Sequence, residues 1–200
     1  MTIRGGIIPY SMTTQNSTAV HPDIERVLIS EEDIQAKIAG IAAEINRDYE
    51  GRSPVLIGIL KGSVLFLSDL MKRLSLDCSV DFMCVSSYEG DKSTGVVRLI
   101  LDLRESIEGK DIIVVEDIID TGLTLGYLKQ NLLTRKPRSL EVVSLLDKPD
   151  ARKVRIEPKY HGFQIPNEFV VGYGLDFNER YRNLPYIGVL KPSAYEGQEA

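Results

Sequence analysis

The sequence predicts an α/β chain built on a doubly wound, mainly parallel sheet flanked by helices, and three observations predict it. Short apolar runs alternate with stretches whose apolar residues recur at helical spacing, as strands do when covering helices join them. One run, Ile112-Ile113-Val114-Val115, has no polar alternation, which suits a parallel strand covered on both faces. Polar turns follow three runs, at Lys61-Gly62-Ser63, Asp120-Thr121-Gly122 and Asp147-Lys148. Open α/β sheets bind ligands at such carboxyl ends.

Two hundred residues, 43% of them apolar, can bury one sizeable core. A net charge of -5 speaks against a general nucleic-acid or membrane-surface binder. Cys78 and Cys84 lack metal-ligand or CxxC spacing, so they are expected as buried thiols in a reducing cytosol. No apolar run is long enough to span a bilayer, and residues 1–20 lack the apolar core of a signal peptide. A cytoplasmic chain is expected, with residues 1–20 a loose arm and residues 21–200 the domain.

Residues 24–29 suit a short edge strand. Ser30-Glu31-Glu32-Asp33 resembles a capping box with Asp in the usual Glu position. Ile34, Ile38, Ile41, Ala42 and Ile45 then lie on one helical face, and that helix ends before Gly51. Residues 54–60, PVLIGIL, form a second buried strand, and Lys61-Gly62-Ser63 opens a helix over residues 64–74. Residues 76–85 read as a third strand and residues 96–101 as a fourth. Between them lies the polar, glycine-bounded segment 86–95, too long for a tight hairpin.

The central stretch is residues 111–125, DIIVVEDIIDTGLTL: a buried strand, an acidic rim at Glu116-Asp117, then a turn. Asp120, Thr121 and Thr124 offer short polar side chains there, and Gly122 lets a ligand approach the backbone. Residues 126–133 continue as a helix, whose free N–H groups and positive dipole end form an anion site. Carboxylates beside such a site suit sugar hydroxyls or metal-bound water, so a sugar phosphate meets both demands. Taken singly, each of these residues also fits an N-cap or a solvated charge. Residues 139–146 give the next strand, ending at Asp147-Lys148.

The string VVEDIIDTGLTL resembles the phosphoribosyl-pyrophosphate motif of type I phosphoribosyltransferases, and EDIIDTG is similar to the version in the hypoxanthine-guanine branch. The match extends over roughly residues 22–191. It implies the fold of that family, with a small hood subdomain built from N- and C-terminal segments. It also implies a magnesium-dependent transfer of the 5-phosphoribosyl group from phosphoribosyl pyrophosphate to N9 of hypoxanthine or guanine, releasing pyrophosphate.

Residue by residue, the resemblance implies that Glu116 and Asp117 hold the ribose hydroxyls, directly or through a metal. Asp120, Thr121, Gly122, Leu123 and Thr124 bind the 5-phosphate, and Asp120 is also the general base or acceptor at the purine N7. Leu123 stands where some members carry Lys, leaving more of the phosphate to backbone N–H groups and threonine hydroxyls. Lys61, Gly62, Ser87, Tyr88 and Arg182 are the expected pyrophosphate ligands, with a cis Lys61-Gly62 peptide and segment 86–95 as a lid that excludes water from the reacting ribose. Lys148 matches the donor to the purine 6-oxygen, and a donor that cannot become an acceptor disfavours adenine. Arg152 is expected to support that loop.

Residues 172–184, GYGLDFNERYRNL, resemble the closing GY-LD-NE-R-L signature. The base is expected to stack on Phe169, with the Val170 backbone reading its edge. Asp176 falls at a magnesium-associated, purine-side carboxylate, so Glu116, Asp117 and Asp176 are the metal candidates. A homodimer or homotetramer is expected, without nucleic acid or membrane. A xanthine-preferring enzyme and an RNA-binding regulator of pyrimidine genes remain alternatives; an acid-phosphatase or receiver reading is weaker, because Asp117 and Asp120 lack DxD spacing.

Overall fold

The structure is a computed structural model that describes residues 19–87 and 97–195. The expectations for the arm at residues 1–18 and for Tyr88 and the body of the lid lie outside the described residues. The strands are β1 (Ile24–Ile29), β2 (Val55–Leu60), β3 (Ser79–Ser87), β4 (Val97–Leu101), β5 (Asp111–Ile119), β6 (Ser139–Asp147), β7 (Tyr160–Gln164), β8 (Val170–Val171) and β9 (Ile187–Leu190). The helices are α1 (Glu31–Asp48), α2 (Val64–Met71), α3 (Leu123–Leu133) and α4 (Pro192–Tyr195).

Six strands form one sheet in the order β4-β3-β2-β5-β6-β7, parallel except for the β3–β4 pair. A second, antiparallel sheet pairs β1 with β9 and β9 with β8. Beyond β2 the chain passes outward to β3, and beyond β5 it passes the other way to β6. The strand order therefore reverses between β2 and β5, which opens a crevice at their carboxyl ends.

The buried run in β5 serves two cores. Ile113 and Val115 pack with Ile34, Ile38, Ile45, Phe66 and Leu70 of α1 and α2, while Ile112 and Val114 pack with Leu125, Leu128 and Leu132 of α3. Strand alternation sends successive residues to opposite faces, so a strand covered on both sides must be apolar throughout. The five apolar residues expected on one face of α1 are its buried residues. Its N-cap, Ser30, accepts a hydrogen bond from the Asp33 N–H at 3.1 Å. The capping box is only half closed, since the Asp33 carboxylate accepts from the Ser30 hydroxyl instead of reaching back to the backbone.

Several boundaries differ from expectation. The α2 helix ends at Met71 rather than residue 74, because its last turns tighten to the bonds Arg73 N–H to Leu70 O and Leu74 N–H to Met71 O. Strand β3 starts at Ser79 rather than residue 76. The side chain of Asn46 on α1 holds the preceding segment through the Arg73 carbonyl and the Ser75 N–H, and Ser79 is the residue opposite Val55. Strand β5 runs on to Ile119, paired with Asp147, so Glu116 and Asp117 lie within the strand and not on a rim beyond it. Cys78 and Cys84 are free but half-buried rather than buried.

Candidate active site

Four segments meet at the crevice: the turn after β2, the end of β5 with the start of α3, the end of β6, and residues 172–184. The turn after β5 depends on Gly122, which caps α3 in the left-handed region at φ 79°. An L side chain is strained there, and glycine lets α3 begin at Leu123, three residues before the expected start. The first turn of α3 has no side-chain cap; only a long 3.4 Å contact links Leu123 N–H to Thr121 Oγ1. Its N–H groups remain available to an anion. A cavity of about 170 Å³ opens there, lined by Glu116, Asp117, Ile118, Asp120, Thr121, Gly122 and Thr124 among others. A larger one, about 430 Å³, lies at the amino ends of β2 and β3 around Val55 and Ser79, away from all these residues.

Glu116 is buried, and its Oε2 has no hydrogen-bond partner. Burial, reinforced by the neighbouring charge of Asp117, raises its carboxyl well above the usual range. Asp117 is pushed up to about 6, chiefly by burial. The Ile118 N–H donates to it at 2.8 Å, and that bond and the Arg182 charge oppose the rise. Alternation turns Asp117 toward the face carrying α2, and a Cβ on Gly62 would overlap its Oδ2. Gly62 is hemmed in from the other side as well, since a Cβ on Gly174 would overlap the Gly62 carbonyl oxygen.

The non-proline cis bond of this turn is Leu60-Lys61, and not the expected Lys61-Gly62. The chain turns directly at the last residue of β2, which still pairs with Cys84 of β3. Lys61 Nζ meets Glu179 Oε1 at 2.9 Å, an exposed pair of little energetic weight. Arg182 is more constrained. It contacts Asp176 Oδ1 at 2.9 Å and Glu179 Oε2 at 3.4 Å, and donates to the Gly174 carbonyl at 2.8 Å, while its buried Nε has no partner. Tyr173, Asn178, Glu179 and Tyr181 all adopt positive φ. Such backbone persists in non-glycine residues only where the surroundings over-determine it.

Lys148, 6% exposed at the end of β6, places Nζ 3.3 Å from Asp120 Oδ2. Its own N–H donates to the Ile119 carbonyl at 2.9 Å. Phe169 is 42% exposed and packs against Tyr195 with ring centroids 5.4 Å apart and against the edge of Phe177 at 5.6 Å. Val170 is buried in β8. Ser87 ends β3 opposite Val97.

The structure thus brings together residues 116–124 with Lys148, Gly62 with Asp117, and Asp176 with Arg182, whereas Lys61 meets Glu179, Phe169 packs on Phe177 and Tyr195, and Val170 and Ser87 lie apart in β8 and β3. Among the described residues no group of three or more His, Cys, Asp or Glu could hold a metal ion. Glu116, Asp117 and Asp176 therefore do not form one cluster, and Asp176 is engaged by Arg182 and by the Glu179 N–H. Magnesium, however, is commonly held by one or two carboxylates plus substrate phosphates and water. The buried, unpartnered Glu116 Oε2 and the adjacent Asp117 fit that smaller requirement. Sequence reasoning missed Glu179, the partner shared by Lys61 and Arg182, although it lies inside the closing signature. It also missed Gly174, whose only signal is its place in Gly172-Tyr173-Gly174.

The family model of the phosphoribosyl transferase domain matches residues 30–178. The chain is 55% identical over 177 residues to a Staphylococcus aureus hypoxanthine-guanine phosphoribosyltransferase, covering 88% of this chain and 99% of that one. It is 52% identical over 190 residues to a Listeria monocytogenes bifunctional protein TilS/HprT, covering 94% of this chain and only 29% of that protein. Among solved structures, a Staphylococcus aureus hypoxanthine phosphoribosyltransferase superposes with a TM-score of 0.86 at 53% identity, covering 90% of this chain and 99% of that one. A Bacillus anthracis hypoxanthine-guanine phosphoribosyltransferase gives 0.79 at 48% identity, covering 84% and 98%.

Proposed function

The chain belongs to the phosphoribosyltransferase family, and from that premise we propose that it transfers the 5-phosphoribosyl group of phosphoribosyl pyrophosphate to N9 of hypoxanthine or guanine. The observation that carries this reading is the pairing of Lys148 Nζ with Asp120 Oδ2 at 3.3 Å. A 6-oxopurine presents O6 and N7 as neighbours on one edge. A cationic donor and a carboxylate acceptor side by side suit O6 and a protonated N7, and adenine would set its C6 amino donor against the Lys148 donor in a buried site.

The remaining residues have separable tasks. The N–H groups at the start of α3, with the Thr121 and Thr124 hydroxyls, bind the 5-phosphate. Glu116 and Asp117 face the ribose hydroxyls. Lys61, Gly62, Ser87, Tyr88 and Arg182 bind the pyrophosphate, the guanidinium offering a planar fork to its oxygens. Asp120 accepts the N7 proton, which favours the tautomer whose N9 attacks C1 of the ribose as pyrophosphate leaves. Phe169 stacks on the base, the Val170 backbone reads its edge, and Asp176 orients Arg182. Magnesium, held beside Glu116 and Asp117, would supply charge neutralisation for the leaving pyrophosphate.

The small sheet of β1, β8 and β9 serves as the hood, and the enzyme works in the cytoplasm as a homodimer or homotetramer. Among the described residues no helix is long and apolar enough to cross a membrane. The test is pyrophosphate release with hypoxanthine, guanine, xanthine, adenine and uracil in parallel, with and without magnesium. Release with the first two, dependent on magnesium, is expected. Release with xanthine alone, or with none of the five, overturns the assignment.

A further inference from the structure

Resting on the purine-transfer reading above, we propose that Arg152 is a positioning residue that couples the lysine facing the purine to the turn that binds the 5-phosphate. Arg152 follows the short 3-10 turn Pro149–Ala151 and folds its side chain back beneath the ends of both central strands. One Nη2 contact is an ion pair with Asp147, the residue immediately before Lys148. The same nitrogen lies 3.5 Å from the carbonyl of Ile119, the residue immediately before Asp120, and Nη1 donates to the Ile156 carbonyl at 2.9 Å. A single guanidinium therefore grips the residues that precede both members of the Lys148–Asp120 pair.

The same side chain underlies the phosphate turn. A Cβ on Gly122 would come within 3.1 Å of Arg152 Cδ and of the Val154 carbonyl oxygen. The N–H groups of Lys153 and Val154 both donate to the Thr121 carbonyl, at 2.9 and 3.2 Å. Residues 152–154 thus form the floor on which Thr121 and Gly122 rest. Displacement of Arg152 moves the base-facing and phosphate-facing halves together.

The chemistry calls for an arginine in particular. Neutralising Asp147 needs only a positive charge, which lysine would supply without a buried donor left over, whereas Arg152 Nε has no partner. Reaching a carboxylate and two carbonyls at once needs the rigid, multidentate fork of a guanidinium. The extra reach, and not the charge, is what positions the site.

Two variants separate positioning from stability. Arg152→Lys keeps the charge opposite Asp147 and loses the fork. The double variant Asp147→Asn with Arg152→Gln removes the buried pair as a unit, so that no lone charge remains. For each, the melting temperature, the kcat, the KM values for hypoxanthine and phosphoribosyl pyrophosphate, and the Kd for inosine monophosphate are compared with the wild type.

Arg152→Lys is expected to fold, to raise both KM values and the product Kd about tenfold, as loss of a charge-assisted hydrogen bond does, and to change kcat less than either KM. The double variant is expected to match the wild type in melting temperature while keeping the raised KM values. Wild-type KM values in Arg152→Lys, or recovery of KM along with melting temperature in the double variant, overturn the inference. So does failure of both variants to fold, which would assign Arg152 to stability alone. A wild-type protein that forms no nucleoside monophosphate would instead remove the reading beneath it.

Discussion

Gly62 lies so close to Asp117 that a Cβ on the glycine would overlap the Oδ2 of the acid. The turn after β2 and the acidic end of β5 are thereby held at backbone contact, with Gly174 closing on the Gly62 carbonyl from the loop above. Gly62→Ala must push the carboxylate or the turn aside. A displacement of about 1 Å can cost about 10²-fold in rate, and overpacking typically costs about 1–3 kcal/mol. The variant is expected to lose kcat/KM for phosphoribosyl pyrophosphate on that scale while still folding. Steady-state kinetics beside thermal melts check this; unchanged kcat/KM would show that the position of Asp117 is immaterial.

Asp120 differs from Asp117 in exposure and in partner. Its carboxylate is half-exposed and faces Lys148 Nζ, at the edge where the base would lie. Asp120→Asn keeps the shape and an oxygen acceptor for Lys148 but removes the basic group. General acid–base assistance is typically worth about 10²–10⁴-fold. kcat is expected to fall by that order, with binding of phosphoribosyl pyrophosphate largely intact, since the backbone N–H groups and threonine hydroxyls of the phosphate turn are unchanged. Equal turnover would remove Asp120 from the chemistry.

Buried Glu116 and half-buried Asp117 make stability depend on pH in an unusual direction. Asp117, raised by burial to about 6 from an ordinary value of 3.8, binds its proton more tightly folded than unfolded. Its contribution to stability is therefore present below about pH 4 and is lost as the pH rises through about 6. Glu116 shifts in the same direction. In ligand-free protein, Asp117→Asn is expected to flatten the fall in melting temperature across that window. Affinity for magnesium with phosphoribosyl pyrophosphate should strengthen over the same window, because ionised carboxylates are the binding form. A pH-independent difference between the two melting curves would contradict the assignment.

Asp69 has the opposite sign. Burial alone would raise it, but hydrogen bonds from Lys72, Tyr173 and Gln35 outweigh that and hold it near about 2. The Tyr173 hydroxyl donates at 2.7 Å, tying α2 to the loop that carries Gly174 and Arg182. Its contribution to stability is present above about pH 4 and is lost as the pH falls toward 2. It amounts to at most about 2 kcal/mol, and less after screening, because Lys72 is 60% exposed. Tyr173→Phe is expected to destabilise the protein by about 1 kcal/mol at neutral pH and to unfold at a higher pH on acid titration. An acid midpoint equal to that of the wild type would sink this link.

What the sequence by itself determined are the features governed by local period. The buried face of α1, from Ile34 to Ile45, follows the helical repeat of its isoleucines, and the uninterrupted apolar run of β5 follows from cover on both faces. The turn at Asp120-Thr121-Gly122 was legible because its chemistry lies within one short string. Only the tertiary structure decided which strings become neighbours. Gly62 meets Asp117 and Arg152 grips Asp147 and Ile119 because the sheet order brings β2 beside β5 and β5 beside β6. Lys61 meets Glu179 because the loop between β8 and β9 comes down on the turn after β2. The short strands β8 and β9 have too few residues to show a period, and they exist by pairing with one another and with β1. Side-chain periodicity states which face of an element is buried; it carries no information about which other element will cover it, and a site assembled from four segments depends on that second choice.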